Sequence, residues 1–141
     1  MRVAFIIECH PMAVESLLGA EGENIEDLEH TLSRAIYARA NFDFAFEEYI
    51  ITPTTIEEAD KRHMGFRRSQ VLECQVRRSY TEGASKYICW TDHGYYINLL
   101  DKVEDLGHRV KVCLQDIRRS YALGEAILPG PSQLRHPHSK T

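Results

Sequence analysis

The chain has 141 residues, of which 43% are hydrophobic and 27% are charged, a balance that indicates one folded domain and excludes a generally disordered chain. No uncharged apolar run approaches the 18 residues of a membrane-spanning helix, so no membrane association is expected, and the short apolar start is unlike a signal peptide. The net charge of −4 conceals an asymmetry, because residues 1–60 carry 13 acidic and 3 basic side chains and residues 61–141 carry 8 and 14. This distribution permits a basic face that binds a polyanion.

The first half of the chain predicts strands and helices in alternation. A nearly continuous apolar run indicates a buried strand, Pro11 can open a helix that Gly19 ends, and Asn24 and Thr54 are suitable helix caps. The predicted elements are a strand at Val3–Glu8, a helix at Met12–Leu18, a helix from Asn24 whose apolar face reaches Ile36, a strand at Phe44–Ile51 closed by Thr52-Pro53, and a helix from Thr54 into Lys61-Arg62-His63.

The second half continues the alternation. Ser69–Tyr80 fits a short strand or one face of a helix equally well. The other predicted elements are strands at Tyr87–Trp90, Val110–Leu114 and Ala126–Leu128, a helix at Gly94–Leu106 ended by Gly107, and a short helix at Arg119–Glu125. Residues 129–141 contain prolines, glycine and charged residues, and predict a disordered tail behind a domain at 1–128.

This alternation predicts an α/β fold of three layers, with a mainly parallel sheet and helices on both faces. In such sheets the functional site lies beyond the carboxyl ends of the strands. The segments Glu8-Cys9-His10 and Thr91-Asp92-His93 each follow a predicted strand. We therefore expect Glu8, Asp92 and His93 to meet at one edge of the sheet.

The order of these segments resembles the NYN domain, a branch of the PIN-like ribonucleases. In that family the first strand ends in Asp, with Asn three residues later, and Glu8 and Pro11 occupy those positions here. Three further segments match the family pattern: Ile25-Glu26-Asp27-Leu28, Tyr49-Ile50-Ile51-Thr52-Pro53, and Leu106-Gly107-His108-Arg109-Val110. The family motif Ser-Gly-Asp-Gly-Asp-Phe aligns with Thr91-Asp92-His93-Gly94-Tyr95-Tyr96, so His93 and Tyr95 replace its two acidic residues.

The resemblance implies a PIN-like fold and a carboxylate cluster that holds Mg²⁺ or Mn²⁺ against a phosphate of RNA. Most of the family's acidic positions are substituted here, and Glu73 is a loose candidate for its acidic position in the middle of the chain. The resemblance therefore implies a domain that binds RNA and cuts it poorly or not at all. A rebuilt catalytic site at Glu8, Asp92 and His93 is the alternative. In that case Glu8, His10 and His93 would suit Zn²⁺ or another transition metal. Asp92 can instead cap the helix predicted from Gly94.

A basic segment provides the predicted surface for nucleic acid. Its members are Arg62, Phe66, Arg67, Arg68, Arg77 and Arg78. The arginines suit the phosphates of single-stranded RNA, and Phe66 and Tyr80 suit stacking on its bases. A solvated helix face, with charges offset by Glu57, Glu58 and Asp60, is the alternative.

The four cysteines lack a C-x-x-C pair and lie among apolar residues, which is typical of buried thiols in a cytoplasmic protein. A third functional class remains open beside RNA binding and RNA cleavage. The domain can serve as an oligomerisation or protein-interaction module through its tyrosine- and tryptophan-bearing surface.

Overall fold

Two sheets make up the computed structural model, which describes residues 3–79, 83–100 and 109–127. The strands are β1 Val3–Cys9, β2 Ala35–Ala40, β3 Tyr49–Thr55, β4 Val71–Ser79, β5 Gly83–Trp90, β6 Tyr96–Leu99, β7 Arg109–Ile117 and β8 Tyr121–Ile127. The helices are α1 Pro11–Leu18, α2 Glu23–Leu32 and α3 Ile56–His63. Among the described residues, no helix has both the length and the apolar character required to cross a membrane.

The first sheet has the order β2-β1-β3, with β1 parallel to β2 and antiparallel to β3. Successive side chains of a strand point to opposite faces, so β1 and β2 each contribute to two apolar clusters. On one face, Ala4, Ile6 and Tyr37 pack with Ala59 of α3. Residues from β1, β2, α1 and α2 form the second cluster on the other face.

Two of the three helices begin where the sequence predicts, because their signals are local. Pro11 occupies the first turn of α1, the ring Nδ1 of His10 accepts a hydrogen bond from Met12 N at 3.0 Å, and Gly19 ends the helix at φ +70°. Helix α3 is capped by Thr55, one residue later than predicted, whose Oγ1 accepts a hydrogen bond from Glu58 N at 3.1 Å.

The second sheet is a closed barrel of strand order β4-β5-β6-β8-β7, in which β7 pairs back to β4. The β6–β8 pair is parallel and the other barrel pairs are antiparallel. The interior is filled by apolar side chains that include Cys74, Val76, Ile97, Val112 and Leu114. This strand order resembles that of the OB-fold, a five-stranded barrel.

The first sheet and its helices cover one outer face of the barrel. Ile88, Trp90, Tyr96 and Tyr121 point outward from the barrel and share one apolar cluster with the helices and β2. Ser120 fixes this junction, because its Oγ accepts a hydrogen bond from Ala38 N at 2.8 Å and donates one to Ile36 O at 3.1 Å. The two sheets therefore share a core.

The prediction of a three-layer, mainly parallel α/β fold is wrong, because the larger sheet is a closed and mostly antiparallel barrel. The helix predicted from Gly94 is wrong at Tyr96–Leu99, which forms β6, and its remainder, Asp101–Leu106, lies outside the described residues together with Gly107. The helix predicted at Arg119–Glu125 is also wrong, because Tyr121–Ile127 forms β8. Strand β6 and the first half of β8, Tyr121–Gly124, are covered on both faces and so lack the apolar–polar alternation that identifies a half-exposed strand.

Smaller corrections concern the ends of elements. Ile36 lies in β2 rather than on the helix, and β3 begins at Tyr49 and continues through Pro53. Proline is tolerated there because β3 is an edge strand. The ambiguous stretch from Ser69 contains β4, and the predicted strands at Tyr87–Trp90 and Val110–Leu114 are confirmed within β5 and β7. The predicted tail at 129–141 lies outside the described residues.

Candidate functional site

A cavity of about 470 Å³ opens where β1 and β2 end, beside the loop that joins β5 to β6. Its walls are Glu8, Arg39, Ala40, Asn41, Phe42, Asp43, Arg62, His63, Asp92 and His93. The structure thus brings together the three residues predicted as catalytic, Glu8, Asp92 and His93. Their chemical role stays a prediction. We call this the Glu8 cavity.

The β5–β6 loop reaches the cavity because it packs directly on the end of β2. Ala40 N donates a hydrogen bond to Gly94 O at 2.9 Å, and Tyr95 N donates one to Thr91 Oγ1 at 3.0 Å. Gly94 has φ +83°, and a Cβ atom there would lie 2.0 Å from Ala40 O. Only glycine therefore allows this close approach, which holds Asp92 and His93 over the end of β2.

Arg39 is a buried cation of the cavity wall that the sequence analysis missed. It stands opposite Glu8 in the β1–β2 register, and it is 4% exposed. Its guanidinium donates to Arg119 O at 2.7 Å and to His63 O at 2.6 Å, and it lies 4.7 Å from the centre of the Tyr95 ring. Burial lowers its pKa to about 10.

No carboxylate lies within 4.0 Å of the Arg39 nitrogens in the described part of the chain. Carbonyl oxygens and an aromatic ring compensate its charge instead, and they join α3, β2 and the β7–β8 turn at one point. The signal in the sequence was a single arginine within the otherwise apolar run Ala35–Ala40.

Asp92 is paired with Arg109 at the surface. Their side chains form an ion pair at 3.2 Å, and Arg109 also lies 3.7 Å from Glu73. Hydrogen bonding to Asp92 raises the pKa of Arg109 above its ordinary value. The alternative role of Asp92 as the cap of a helix at Gly94 is wrong, because the chain enters β6 there.

The predicted metal ligands do not form a set. His10 caps α1 through its Nδ1, its ring contacts Phe46 at 5.8 Å, and it does not line the cavity that holds Glu8 and His93. Within residues 3–79, 83–100 and 109–127, no group of three His, Cys, Asp or Glu side chains could hold a metal ion. These side chains therefore do not fit Mg²⁺, Mn²⁺ or Zn²⁺ as the resemblance implies.

The thiol of Cys9, which is adjacent to His10 in the sequence, is not activated as a nucleophile. Cys9 is buried, which raises the pKa of its thiol to about 11, so at neutral pH it remains protonated. The four cysteines are all free, and three of them are buried.

The basic residues predicted to contact RNA fall into two groups. Arg62 lies at the end of α3, and Arg67 and Arg68 lie in a turn in which Gln70 N donates to Arg67 O at 3.0 Å. We call Arg62, Arg67 and Arg68 the turn arginines. Arg77 and Arg78, the strand arginines, lie near the far end of β4, which spans about 25–30 Å at the usual rise per residue.

Phe66 lies next to the turn arginines but is engaged in a contact of its own. Its ring stacks on that of Tyr95, with centroids 4.4 Å apart and planes 11° apart, and it packs against the interior of the barrel. The second predicted stacking residue, Tyr80, lies outside the described residues.

The exposed arginines differ in their electrostatic partners. Arg109, Arg118 and Arg119 form ion pairs with carboxylates, the last two with Glu26 and Glu29 of α2. For the turn and strand arginines, no carboxylate lies within 4.0 Å among the described residues. The alternative, a solvated helix face whose charges are offset by the acidic residues of α3, stays open, because exposed arginines without an ion pair among the described residues fit it as well.

No model of a known protein family matches the chain, and no curated protein matches it either.

Proposed function

We propose that the chain binds single-stranded RNA through the turn arginines and the strand arginines, without cutting it. The observation that carries this proposal is a difference between the arginines: Arg118 and Arg119 are paired with carboxylates of α2, whereas the five exposed arginines of the predicted surface, like Arg34, have no carboxylate partner among the described residues. An unpaired arginine loses no ion pair when it contacts a phosphate, and it releases counterions from the RNA.

The barrel supports the same proposal. Five-stranded barrels of this type bind oligonucleotides on the outer face of their second and third strands and on adjacent loops. Here the corresponding strands are β5 and β6, and their outer residues Trp90 and Tyr96 are buried under the first sheet and its helices. RNA binding would therefore use the two ends of β4, near which Arg67 and Arg68 and the strand arginines are exposed.

The distance between the turn arginines and the strand arginines suits an extended single strand of RNA. A ligand that contacts both must follow β4 for most of its length, about 25–30 Å. Barrels of this type cover about 4–16 nucleotides of a single strand. A cytoplasmic location belongs to the same proposal and agrees with four free cysteines.

The test is fluorescence anisotropy with a labelled oligoribonucleotide, measured over a series of salt concentrations. Replacing Arg67 and Arg68 with alanine should weaken binding about equally for unrelated sequences. It should also reduce the slope of log K against log salt by about 1.4, since each phosphate contact to a single strand contributes about 0.7.

Arg34→Ala is the matched control, because Arg34 is exposed at the end of α2 and contacts only main-chain oxygens within the described ranges. It should leave both the affinity and the slope unchanged. If the wild-type chain binds no single-stranded RNA at low salt, the proposal is wrong. Arg34→Ala removes one positive charge and the double variant removes two, so an effect of Arg34→Ala about half that of the double variant would show that binding follows net charge alone and that the assigned surface is wrong.

A further inference from the structure

Strand β3 is an edge strand with little of the usual protection. It lies at the outside of the order β2-β1-β3 and pairs with β1 over its whole length without a bulge. Natural edge strands are usually short, carry lysine or proline, or contain bulges, all of which oppose pairing with another chain. Tyr49–Thr55 contains no charged residue, and Pro53 is the one protective feature of this kind that it carries.

The same edge carries exposed apolar side chains. The exposed fractions are 57% for Phe46, 66% for Tyr49, 51% for Ile50 and 50% for Ile51. We call these four residues the β3 edge surface. At about 200 Å² for each large side chain, their exposed parts amount to about 450 Å². This area is divided between the two faces of the sheet, because Ile50 points away from the face that carries Tyr49 and Ile51.

We propose that the β3 edge surface pairs with the same surface of a second copy of this chain, as antiparallel strands around a two-fold axis at Ile51. This inference does not depend on the RNA proposal, because the arginines named above are not part of the β3 edge surface. It predicts a reversible dimer with a sheet that continues from one copy into the other.

The position of Pro53 selects the register. Proline in an edge strand has its nitrogen on the solvent side, and main-chain groups alternate in direction along an antiparallel strand. The N–H and C=O groups of Tyr49 and Ile51 therefore also point outward. When Ile51 of one copy lies opposite Ile51 of the other copy, the N–H of each donates to the C=O of the other. Tyr49 N of one copy donates to Pro53 O of the other copy, and this hydrogen bond requires no N–H group from proline.

The side chains of this register are compatible with one another. Ile51 faces Ile51, Tyr49 faces Pro53 and Ile50 faces Thr52, so apolar or small side chains meet throughout. The acidic residues that precede β3 avoid each other, since Glu48 would stand opposite Thr54. Like charges directly opposite each other would oppose pairing.

The size of the surface sets the strength of the dimer. Two copies would bury about 900 Å² of apolar side-chain area, below the roughly 1,200–2,000 Å² of standard stable interfaces. A second copy supplies a matching strand edge, so no other partner is needed. The dissociation constant of the dimer should lie in the micromolar range, in keeping with an interface of that size.

The first experiment is sedimentation velocity over a concentration series from about 1 to 200 µM, which brackets micromolar affinity. The wild-type chain should shift from monomer to dimer, and Ile51→Lys should remain monomeric over the whole range. Val71→Lys is the matched control, because Val71 is 48% exposed and lies on β4 of the barrel. It should dimerise like the wild type.

A second variant keeps the test decisive if Ile51→Lys fails to fold. Directly opposite residues in a hydrogen-bonded antiparallel pair have Cα atoms about 5.5 Å apart, within the range that a disulfide spans. Ile51→Cys should therefore form a covalent dimer under mild oxidation, and Val71→Cys should not, both in a Cys113→Ser background because Cys113 is the half-buried native thiol.

A wild-type chain that stays monomeric at the highest concentration, with no cross-link through Ile51→Cys, would overturn the proposal and leave the edge for a strand of another protein. Loss of the dimer in Val71→Lys would also overturn it, because the interface would then lie on the barrel.

Discussion

Replacing Gly94 with alanine should separate the β5–β6 loop from β2 and lower the free energy of unfolding by about 2–5 kcal/mol. The left-handed backbone at φ +83° costs about 1–2 kcal/mol for a residue with a side chain. The new Cβ would lie 2.0 Å from Ala40 O, so the loop must also move, and moving it breaks the hydrogen bond from Ala40 N to Gly94 O. Leaving those buried groups unpaired adds about 1–3 kcal/mol.

Urea unfolding followed by circular dichroism measures this difference, and a thermal scan should show a decrease in Tm of about 10–15 °C for a domain of this size. Gly65→Ala is the control, because no atom lies within 4 Å of its added Cβ and its φ is not positive. That variant should change stability by less than about 1 kcal/mol, in the stabilising direction. A loss below about 1 kcal/mol in Gly94→Ala would show that the loop does not depend on this contact, and the reasoning would be wrong.

Three other predictions concern single side chains. Phe66→Ala should lower the free energy of unfolding by about 3 kcal/mol, because its ring stacks on Tyr95, and should leave RNA affinity unchanged when both are measured in parallel. Burial, and next the charge of Arg39, lower the pKa of His63 below 6.5, so below that pH the unfolded chain binds more protons than the folded chain. The free energy of unfolding should therefore fall as the pH drops below 6.5. Urea unfolding repeated across pH should show a smaller fall in His63→Gln. Single-stranded RNA incubated with Mg²⁺ or Mn²⁺ should stay intact on a gel, whereas turnover that disappears in Glu8→Gln would reveal an active site.

The elements that the sequence predicts correctly are those with local signals. The apolar run of β1, the proline and glycine that bound α1, and the threonine near the start of α3 all act within a few residues of the element they define. The barrel has no such signal, because its closure depends on pairs such as Val71 with Cys113, which are far apart in sequence. Strand β6 and the first half of β8 are buried on both faces, so their apolar spacing resembles that of a helix.

The candidate site shows the same division. Glu8 and Asp92 could be placed together because Glu8 lies near the end of β1 and Asp92 follows the end of β5. These two ends meet at the cavity, as they would in the expected α/β sheet. Arg39 could not be identified, since a single arginine in an apolar run gives no indication of the carbonyl oxygens that surround it. Phe66 could not be assigned to the barrel either, because Tyr95 becomes its neighbour only after the chain folds.

The junction between the first sheet and the barrel also has a consequence for the newly synthesised chain. Residues Val3–Thr55 contain the whole first sheet and can pair before the barrel exists, but the apolar face with Ile36 and Ala38 is covered only when β8 brings Ser120 and Tyr121 against it. At about 5–20 residues per second, the roughly 70 residues between β3 and the end of β8 need about 4–14 s of translation. During that interval the growing polypeptide exposes an apolar surface beside an unpaired strand edge. We therefore expect a chaperone at the ribosome to bind it.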